Sequence, residues 1–375
     1  MNLEARADSL AQTHIILDGH IDVPYRLLRY REDIGDSTAT GDFDYPRAQA
    51  GGLNAPFMSI YIPVELQSEA GASRARAEAL IGMVEGFAEE HPDKFAIATS
   101  PAEVRAQFEQ DLISLPMGME NGSGLEDDLT NVAYFFDRGI RYITLTHAKH
   151  NRIGDSSYDD DAPRWNGLSP FGEDVIREMN RLGMMVDISH VTDSTAFDVL
   201  ALSEAPVIAS HSSARHFTPE WERNMSDELI QALAENGGVI MINFGSSFLR
   251  SEYQDADDPV QDRMNQYFAD NDLDPGAPEA LRYRYEMRTT NPIGTVQDVA
   301  DHIDHVVDLV GVDHVGLGSD YDGVFALPEG LLDVSTYPNL IAELLGRGYS
   351  DDDIQKILGS NALRVWEDVE QVAQR

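Results

Sequence analysis

The sequence predicts an α/β protein folded as a (β/α)8 TIM barrel, and three observations support this fold class. Eight short apolar runs, rich in β-branched residues, alternate with helical patterns along the chain. Most runs are continuous rather than alternating, as in parallel strands buried on both faces. The chain has 375 residues, 42% of them hydrophobic. We therefore expect a single barrel domain over residues 1–375.

The apolar runs and the patterns between them place the elements in order. The predicted strands are Ile15–Leu17, Phe57–Val64, Leu112–Met119, Tyr142–Thr146, Met184–Ser189, Val207–Ser210, Val239–Phe244 and His314–Gly318. The predicted helices are Arg74–Glu90, Leu129–Arg138, Asp174–Leu182, Asp193–Leu202, Asp227–Ala234 and Thr295–Leu309. Glycines just before the next strand are typical of helix C-caps, namely Gly183, Gly237–Gly238 and Gly311.

Two segments lie outside this alternation. Residues 246–292, rich in Asp, Arg and Tyr, are expected to form an irregular insertion after strand seven, as a lid or a dimer contact. Residues 351–375 are expected to form a helical tail that packs through residues such as Leu358, Leu363 and Trp366.

The charge excludes some classes of partner. The formal net charge is −39, from 66 acidic against 27 basic residues, so we expect no binding to nucleic acid or to anionic lipid. Lysine occurs only at Lys94, Lys149 and Lys356. An acidic, lysine-poor surface favours a salt-adapted host, and ordinary acidity combined with a GC-rich genome is the alternative.

The chain contains no cysteine, so disulfides and thiolate metal sites are excluded. A metal would have to be held by His, Asp and Glu, which favours zinc or a similar divalent ion. No apolar run reaches about 18 residues, so we expect no transmembrane helix. The first residues lack the apolar core of a signal peptide. These features predict a cytoplasmic protein without a membrane anchor, or a periplasmic one if a signal peptide has been removed.

Most predicted strands run into a residue that can bind metal or move protons. These residues are His20, Asp22, Glu120, His147, His190, His211 and Asp320. In a barrel the C-terminal ends of the strands meet at one rim, where the active sites of this fold lie. A single histidine at a strand end is more often structural than a ligand. The joint pattern makes a shared site the better interpretation.

The residue types point to a binuclear metal centre. His20 and Asp22 face the same side of an extended chain, because side chains alternate along a strand. Three histidines and two acids exceed the usual ligands of one catalytic zinc, and they fit two metals that share a carboxylate about 3.5–4 Å apart. Two metals lower the pKa of a water between them. The spacing therefore predicts a hydrolase.

Two other motifs are weak. Gly316-Leu317-Gly318 lacks the rest of a phosphate-binding fingerprint. Ser212 and Ser213 beside His211 are not framed by a G-x-S-x-G nucleophile elbow, so a serine hydrolase is not favoured.

At these residues the sequence resembles the membrane (renal) dipeptidase family, the zinc dipeptidases of peptidase family M19, in a bacterial-type form. The matching motifs span nearly the whole chain in the family's order. They are Asp18-Gly-His-Ile-Asp22-Val-Pro, Gly118-Met-Glu-Asn121, Leu145-Thr-His147, Val186-Asp-Ile-Ser-His190, Ser210-His-Ser-Ser-Ala-Arg215, Arg223-Asn-Met-Ser-Asp227, Gly318-Ser-Asp-Tyr-Asp322-Gly323 and Gly359-Ser-Asn-Ala-Leu-Arg-Val-Trp366.

The resemblance implies a barrel of the metal-dependent hydrolase type and a role for each site residue. It implies two Zn²⁺ per chain, one held by His20 and Asp22 and the other by His190 and His211, with Glu120 bridging both. His147 would contact the substrate carbonyl and stabilise the oxyanion. Arg223 would bind the C-terminal carboxylate of a dipeptide. Asp320 would orient the water, take its proton and deliver it to the leaving amine.

Departures from the family leave the substrate open. The mammalian relatives are disulfide-linked and lipid-anchored, and this chain has neither cysteine nor a hydrophobic tail. Gly245 stands where some relatives carry a substrate-binding tyrosine, and the loop of residues 147–161 is long and polar. The resemblance favours hydrolysis of dipeptides by a homodimer. The alternatives are hydrolysis of a cyclic amide or an N-acyl amino acid, or a metal-binding protein without activity.

Overall fold

The architecture is a closed barrel of eight parallel strands surrounded by helices, seen in a computed structural model that describes residues 2–374. The strands are β1 (Ile16–Ile21), β2 (Leu53–Tyr61), β3 (Phe95–Ile97), β4 (Ile113–Leu115), β5 (Met117–Glu120), β6 (Ile140–Thr144), β7 (Met185–Asp187), β8 (Ile208–Ser212), β9 (Val239–Ile242) and β10 (Val315–Leu317). The barrel order is β1-β10-β9-β8-β7-β6-β5-β2, with β3 and β4 paired in a separate sheet. The (β/α)8 TIM barrel predicted from the sequence is confirmed.

The helices lie mostly between successive strands. They are α1 (Leu3–Thr13), α2 (Val23–Arg29), α3 (Tyr45–Gly51), α4 (Ala72–Glu90), α5 (Pro101–Phe108), α6 (Thr130–Asp137), α7 (Pro170–Leu182), α8 (Asp193–Leu202), α9 (Asp227–Glu235), α10 (Ser246–Leu249), α11 (Asp258–Asp270), α12 (Pro278–Thr289), α13 (Val296–Val310), α14 (Tyr337–Arg347), α15 (Asp351–Gln355) and α16 (Asn361–Ala373). No helix within residues 2–374 is long and apolar enough to cross a membrane.

The third predicted strand, Leu112–Met119, is divided in the structure. Pro116 lies between β4 and β5, and proline cannot donate a backbone hydrogen bond to a ladder. Only β5 joins the barrel, whereas β4 pairs with β3, a short strand that the apolar pattern did not predict. The first strand is longer than predicted, because β1 continues through the polar residues Asp18–His20.

The expectation that residues 246–292 are irregular is wrong, because this segment forms the helices α10, α11 and α12. In α11 the apolar residues Val260, Met264 and Phe268 recur every four positions and are buried. The Tyr267 ring stacks on the Tyr283 ring of α12 at a centroid distance of 3.9 Å. The many charged residues of the segment hide this helical spacing in the sequence.

The C-terminal tail is helical and plugs the barrel end remote from the predicted site residues. Trp366 of α16 is fully buried. It belongs to an apolar cluster that includes Met185, Ile208 and Val239, the first residues of β7, β8 and β9. Tertiary packing therefore closes the N-terminal end of the barrel and leaves the C-terminal end for the site.

Candidate metal centre

The residues predicted at the strand ends meet at the C-terminal end of the barrel. Three lie within the last residues of strands: His20 in β1, Glu120 in β5 and His211 in β8. Three others each follow a strand by three residues: His147 after β6, His190 after β7 and Asp320 after β10. Asp22 follows β1 directly and occupies the N-cap position of α2.

Glu120 lies at the centre of the cluster and is buried. Its Oε2 atom is 3.4 Å from His20 Nε2. Its Oε1 atom is 3.2 Å from His190 Nε2, 3.4 Å from His211 Nε2 and 3.6 Å from His147 Nε2. One carboxylate oxygen therefore faces His20 and the other faces three imidazoles, which is the arrangement that a bridging ligand requires.

Hydrogen bonds on the outer side of His20 set its tautomer. The Tyr142 hydroxyl donates to the backbone carbonyl of Gly19 over 3.0 Å. It therefore accepts from His20 Nδ1, which lies 2.8 Å away. With a ring proton on Nδ1, His20 Nε2 faces Glu120 and is the nitrogen that would bind a metal. Burial lowers the pKa of His20, but the contacts with Tyr142, Glu120 and Asp22 outweigh it and raise that pKa well above its ordinary value, so a metal would have to displace a proton from Nε2.

His211 is oriented by the same logic. The Ser210 hydroxyl donates to Asp187 Oδ2 over 2.6 Å, so it accepts from His211 Nδ1 at 2.7 Å. The His211 Nε2 lone pair then points into the centre, 2.8 Å from His190 Nε2. Two imidazole nitrogens this close are compatible with a shared proton or with a cation between the rings.

The donor set fits divalent metal ions. His20 Nε2 and Asp22 Oδ1 are buried and have no hydrogen-bond partner among residues 2–374, which is energetically costly unless a ligand satisfies them. Burial and neighbouring positive charges lower the pKa values of His190 and His211 well below their ordinary value, which favours the neutral form in which an imidazole binds a metal. Oxygen and imidazole donors without thiolates suit zinc.

Asp320 lies near two candidate metal ligands, His20 and Asp22, rather than among the histidines that surround Glu120. One of its carboxylate oxygens lies within 4.8 Å of donor atoms of His20 and Asp22. Its Oδ2 accepts a hydrogen bond of 2.8 Å from Asn243 Nδ2. Burial raises the pKa of Asp320 to about 8, with the Asp22 and Glu120 charges adding to it and His20 opposing it. A carboxyl group held in this way can carry a proton.

Two of these residues have left-handed backbone conformations, with φ of 70° at His190 and 61° at Asp320. Such values are uncommon for residues with a Cβ and cluster at functional sites. The conformation turns each side chain back over the barrel mouth just after its strand has ended.

Arg223 lies beside the centre and is 2% exposed. Its Nη2 donates to the backbone carbonyl of His211 and its Nη1 to Ser212 Oγ, both over 2.7 Å. The guanidinium also lies 4.9 Å from the centre of the Phe248 ring. Its Nε is buried and has no hydrogen-bond partner within the described part of the chain. An N–H donor therefore remains available on a side chain that is hydrogen-bonded to His211, a candidate metal ligand.

The centre opens into a cavity of about 720 Å³. His147 lines it, with its ring 4.9 Å from that of Tyr61 and 4.4 Å from that of His190. Burial lowers the pKa of His147, and its Nδ1 has no hydrogen-bond partner. A neutral imidazole at this position can donate one hydrogen bond to a bound molecule.

The structure adds residues that the sequence reasoning missed. Asn243 follows β9, a strand predicted to end without a functional residue, and an amide at a strand end was the available signal. Ser210 and Asp187 lie within the motifs that contain His211 and His190, but the motifs gave no role to either residue. Nothing in the sequence indicated that Tyr142 contacts His20.

Comparison with known proteins gives the same family as the motifs. Residues 4–375 match the family model described as membrane dipeptidase (peptidase family M19). The chain is 36% identical over 373 residues to the dipeptidase aclJ of Aspergillus oryzae (strain ATCC 42149 / RIB 40), covering 96% of this chain and 79% of that protein.

Solved structures agree. The probable dipeptidase PvdM from Pseudomonas aeruginosa superimposes with a TM-score of 0.82 at 29% identity, covering 99% of both chains. A metallopeptidase from Rhodobacter sphaeroides, liganded with a phosphinate mimic of the dipeptide L-Ala-D-Ala, has a TM-score of 0.76 at 28% identity, covering 95% of this chain and 99% of that chain. The resemblance read from the motifs is confirmed, and the chain belongs to the membrane dipeptidase family, peptidase family M19.

Proposed function

We propose that this protein is a zinc-dependent dipeptidase of the membrane dipeptidase type, with two Zn²⁺ per chain. The observation that carries the proposal is the position of Arg223. Its guanidinium donates to the carbonyl of His211, a candidate metal ligand, and its buried Nε has no partner among the residues that the structure describes. A carboxylate-binding cation this close to the hydrolytic centre suits a substrate whose free carboxylate lies one residue from the scissile bond.

His20 and Asp22 would hold one ion, His190 and His211 the other, and Glu120 would bridge them. The opposite facing of the two Glu120 oxygens supports this division. When bound, the ions would supply Lewis-acid activation of water and of the peptide carbonyl near neutral pH.

The remaining steps use side chains of this chain. Arg223 would bind the C-terminal carboxylate and so fix the position of the peptide bond. His147 would donate a hydrogen bond to the carbonyl oxygen as negative charge develops there. Asp320 would accept the proton of the attacking water and pass it to the leaving amine, so that the C–N bond breaks as the nitrogen gains its proton.

Asn243 would keep Asp320 in position, because its amide donates a hydrogen bond to Oδ2. Related proteins support the substrate class. The relative from Aspergillus oryzae is named a dipeptidase, and the Rhodobacter sphaeroides structure contains a mimic of a dipeptide.

A substrate panel with added zinc tests the proposal. It would contain free dipeptides, including ones with L- and D-residues at the second position, tripeptides, N-acyl amino acids and cyclic amides. We expect turnover of free dipeptides to exceed that of every other class, because only they combine a free carboxylate with the correct length. Faster turnover of N-acyl amino acids or cyclic amides would assign the site to the alternative reaction. No turnover of any class would contradict an enzymatic role.

A further inference from the structure

Two helices, α2 and α12, build one wall of the cavity. From α2, Tyr25, Arg26 and Arg29 face it, and from α12, Arg284 and Arg288 face it. The four arginines are far apart in sequence yet lie around one opening. Their ion pairs divide them into two kinds.

Two of the arginines are neutralised by carboxylates. Arg26 pairs with Glu32 at 3.0 Å and with Asp322 at 2.9 Å. Arg288 makes a buried ion pair with Asp42. These contacts are structural, since both guanidinium groups already have anionic partners within the fold.

Arg29 and Arg284 have no carboxylate within ion-pair distance in the described part of the chain. Arg29 donates to the Tyr25 hydroxyl over 2.8 Å, and its guanidinium lies 4.6 Å from the centre of that ring. The Nε of Arg284 is buried and has no hydrogen-bond partner in residues 2–374. Such a buried charged donor is costly to leave unsatisfied, so it indicates a missing anionic partner.

The guanidinium groups of Arg29 and Arg284 also repel each other electrostatically. Burial lowers the pKa of Arg284, and the nearby Arg29 charge lowers it further. A repulsive pair of this kind is unusual in a chain with 66 acidic and 27 basic residues, where a carboxylate partner is readily supplied. Within the cavity wall, three carboxylates belong to the metal centre and the fourth, Asp322, already pairs with Arg26.

The position of Arg29 and Arg284 suggests which residue of a bound dipeptide they would contact. Arg223 donates a hydrogen bond to the backbone carbonyl of His211. The C-terminal carboxylate of the substrate is expected to bind beside Arg223. Asp22 caps α2, and Arg29 is the last residue of that helix, about 10 Å further along at about 1.5 Å per residue. With the C-terminal carboxylate placed at Arg223, we assign the side chain that extends along this helix to the first residue of the substrate.

We propose that Arg29 and Arg284 form an anion subsite that binds the side-chain carboxylate of an acidic first residue. The inference rests on the proposed dipeptidase function and adds the substrate class. Dipeptides that begin with Glu or Asp are then better substrates than their amide counterparts, which have nearly the same shape without the charge.

The test compares kcat/KM for Glu-Ala and Gln-Ala, and for Ala-Glu and Ala-Gln, in the parent and in three variants. Arg29→Gln and Arg284→Gln each remove one subsite charge. Arg282→Gln is the matched control. Arg282 lies in α12, as Arg284 does, but its side chain is exposed and does not line the cavity. The substitution alters the net charge by the same amount.

We expect the parent to favour Glu-Ala over Gln-Ala by about tenfold or more, the usual effect of a hydrogen-bonded charge pair. Each subsite variant should bring the ratio toward one, and Arg282→Gln should keep the parental ratio. Equal rates on Glu-Ala and Gln-Ala in a parent that hydrolyses neutral dipeptides would overturn this inference alone. The inference would also be overturned if only Ala-Glu were preferred over its amide counterpart, or if the preference for Glu-Ala over Gln-Ala survived in both Arg29→Gln and Arg284→Gln. A parent inactive on all dipeptides would refute the proposed function as well.

Discussion

Replacing Asp320 by asparagine separates proton transfer from metal binding. The Asp320 carboxylate accepts a 2.8 Å hydrogen bond from Asn243, and asparagine in the same orientation can accept that bond through its amide oxygen. The side chain is 9% exposed, and the two side chains are nearly isosteric, so the packing should persist. What asparagine cannot do is take up and release a proton.

We therefore expect Asp320→Asn to fold normally, to retain most of its metal and to lose kcat by about 10²–10⁴, the usual range for a lost general acid–base group. This corresponds to about 3–5 kcal/mol in the activation free energy. Asn243→Ala keeps the carboxylate and removes one hydrogen bond to it. Its loss should be smaller, about ten- to a hundredfold, as for a positioning contact to a charged group.

The assay combines steady-state turnover of a free dipeptide with metal analysis of each purified variant. His190→Ala is the control for a ligand, and it should lose metal together with activity. If Asp320→Asn loses both metals, the residue is mainly a ligand and the assigned role is wrong. If it keeps near-parental activity, the proton carrier is another group, and His147 is the next candidate.

Four further predictions follow from the geometry and the charge. Protein purified without chelator should contain about two metal ions per chain by elemental analysis, and fully active enzyme with one or fewer would contradict the binuclear centre. Arg223→Lys should be nearly as inactive on free dipeptides as Arg223→Ala, because a point charge does not replace the guanidinium fork, and parent enzyme should hydrolyse C-terminally amidated dipeptides poorly. Equal rates on acid and amide substrates would refute the clamp. In Gly323→Ala a new Cβ would lie 2.2 Å from Asp320 Oδ1 and 2.3 Å from Asp22 Oδ2, so metal content and activity should both fall. Gly346→Ala, where a Cβ has open space, should retain both. Finally, the melting temperature should rise between low salt and about 1 M NaCl, because salt screens the self-repulsion of a −39 chain, and a flat or falling curve would argue against salt adaptation.

The barrel could be predicted from the sequence because its signals are local. Apolar runs such as Val239–Ile242 and capped helices such as Asp193–Leu202 are specified by neighbouring residues. The error at Pro116 was of the same local kind, since one proline divides a run that otherwise reads as a single strand. The helices of residues 246–292 were missed because their buried face is narrow and their exposed faces are heavily charged.

The candidate ligands could also be predicted, because a parallel barrel brings every strand end to one rim. His20, Glu120 and His211 needed no knowledge of their contacts to be placed together. The position of the ring proton on each histidine could not be predicted in this way. The ring proton of His20 depends on Tyr142, and that of His211 depends on Ser210, through hydrogen bonds that join separate strands.

Sequence alone determined the barrel and the family of this protein, and it predicted the residues that meet at the strand ends as candidate metal ligands. Tertiary structure decided how those groups can act. It decided which oxygen of Glu120 faces which imidazole and that Asn243 donates to Asp320. It also brought Arg29 and Arg284 to one cavity, where neither has an acidic partner among residues 2–374. The physical reason is the range of the interactions. Hydrophobic periodicity and capping act between near neighbours in the chain, whereas tautomers, orphaned charges and ion pairs depend on residues that only the folded barrel brings within a few ångströms.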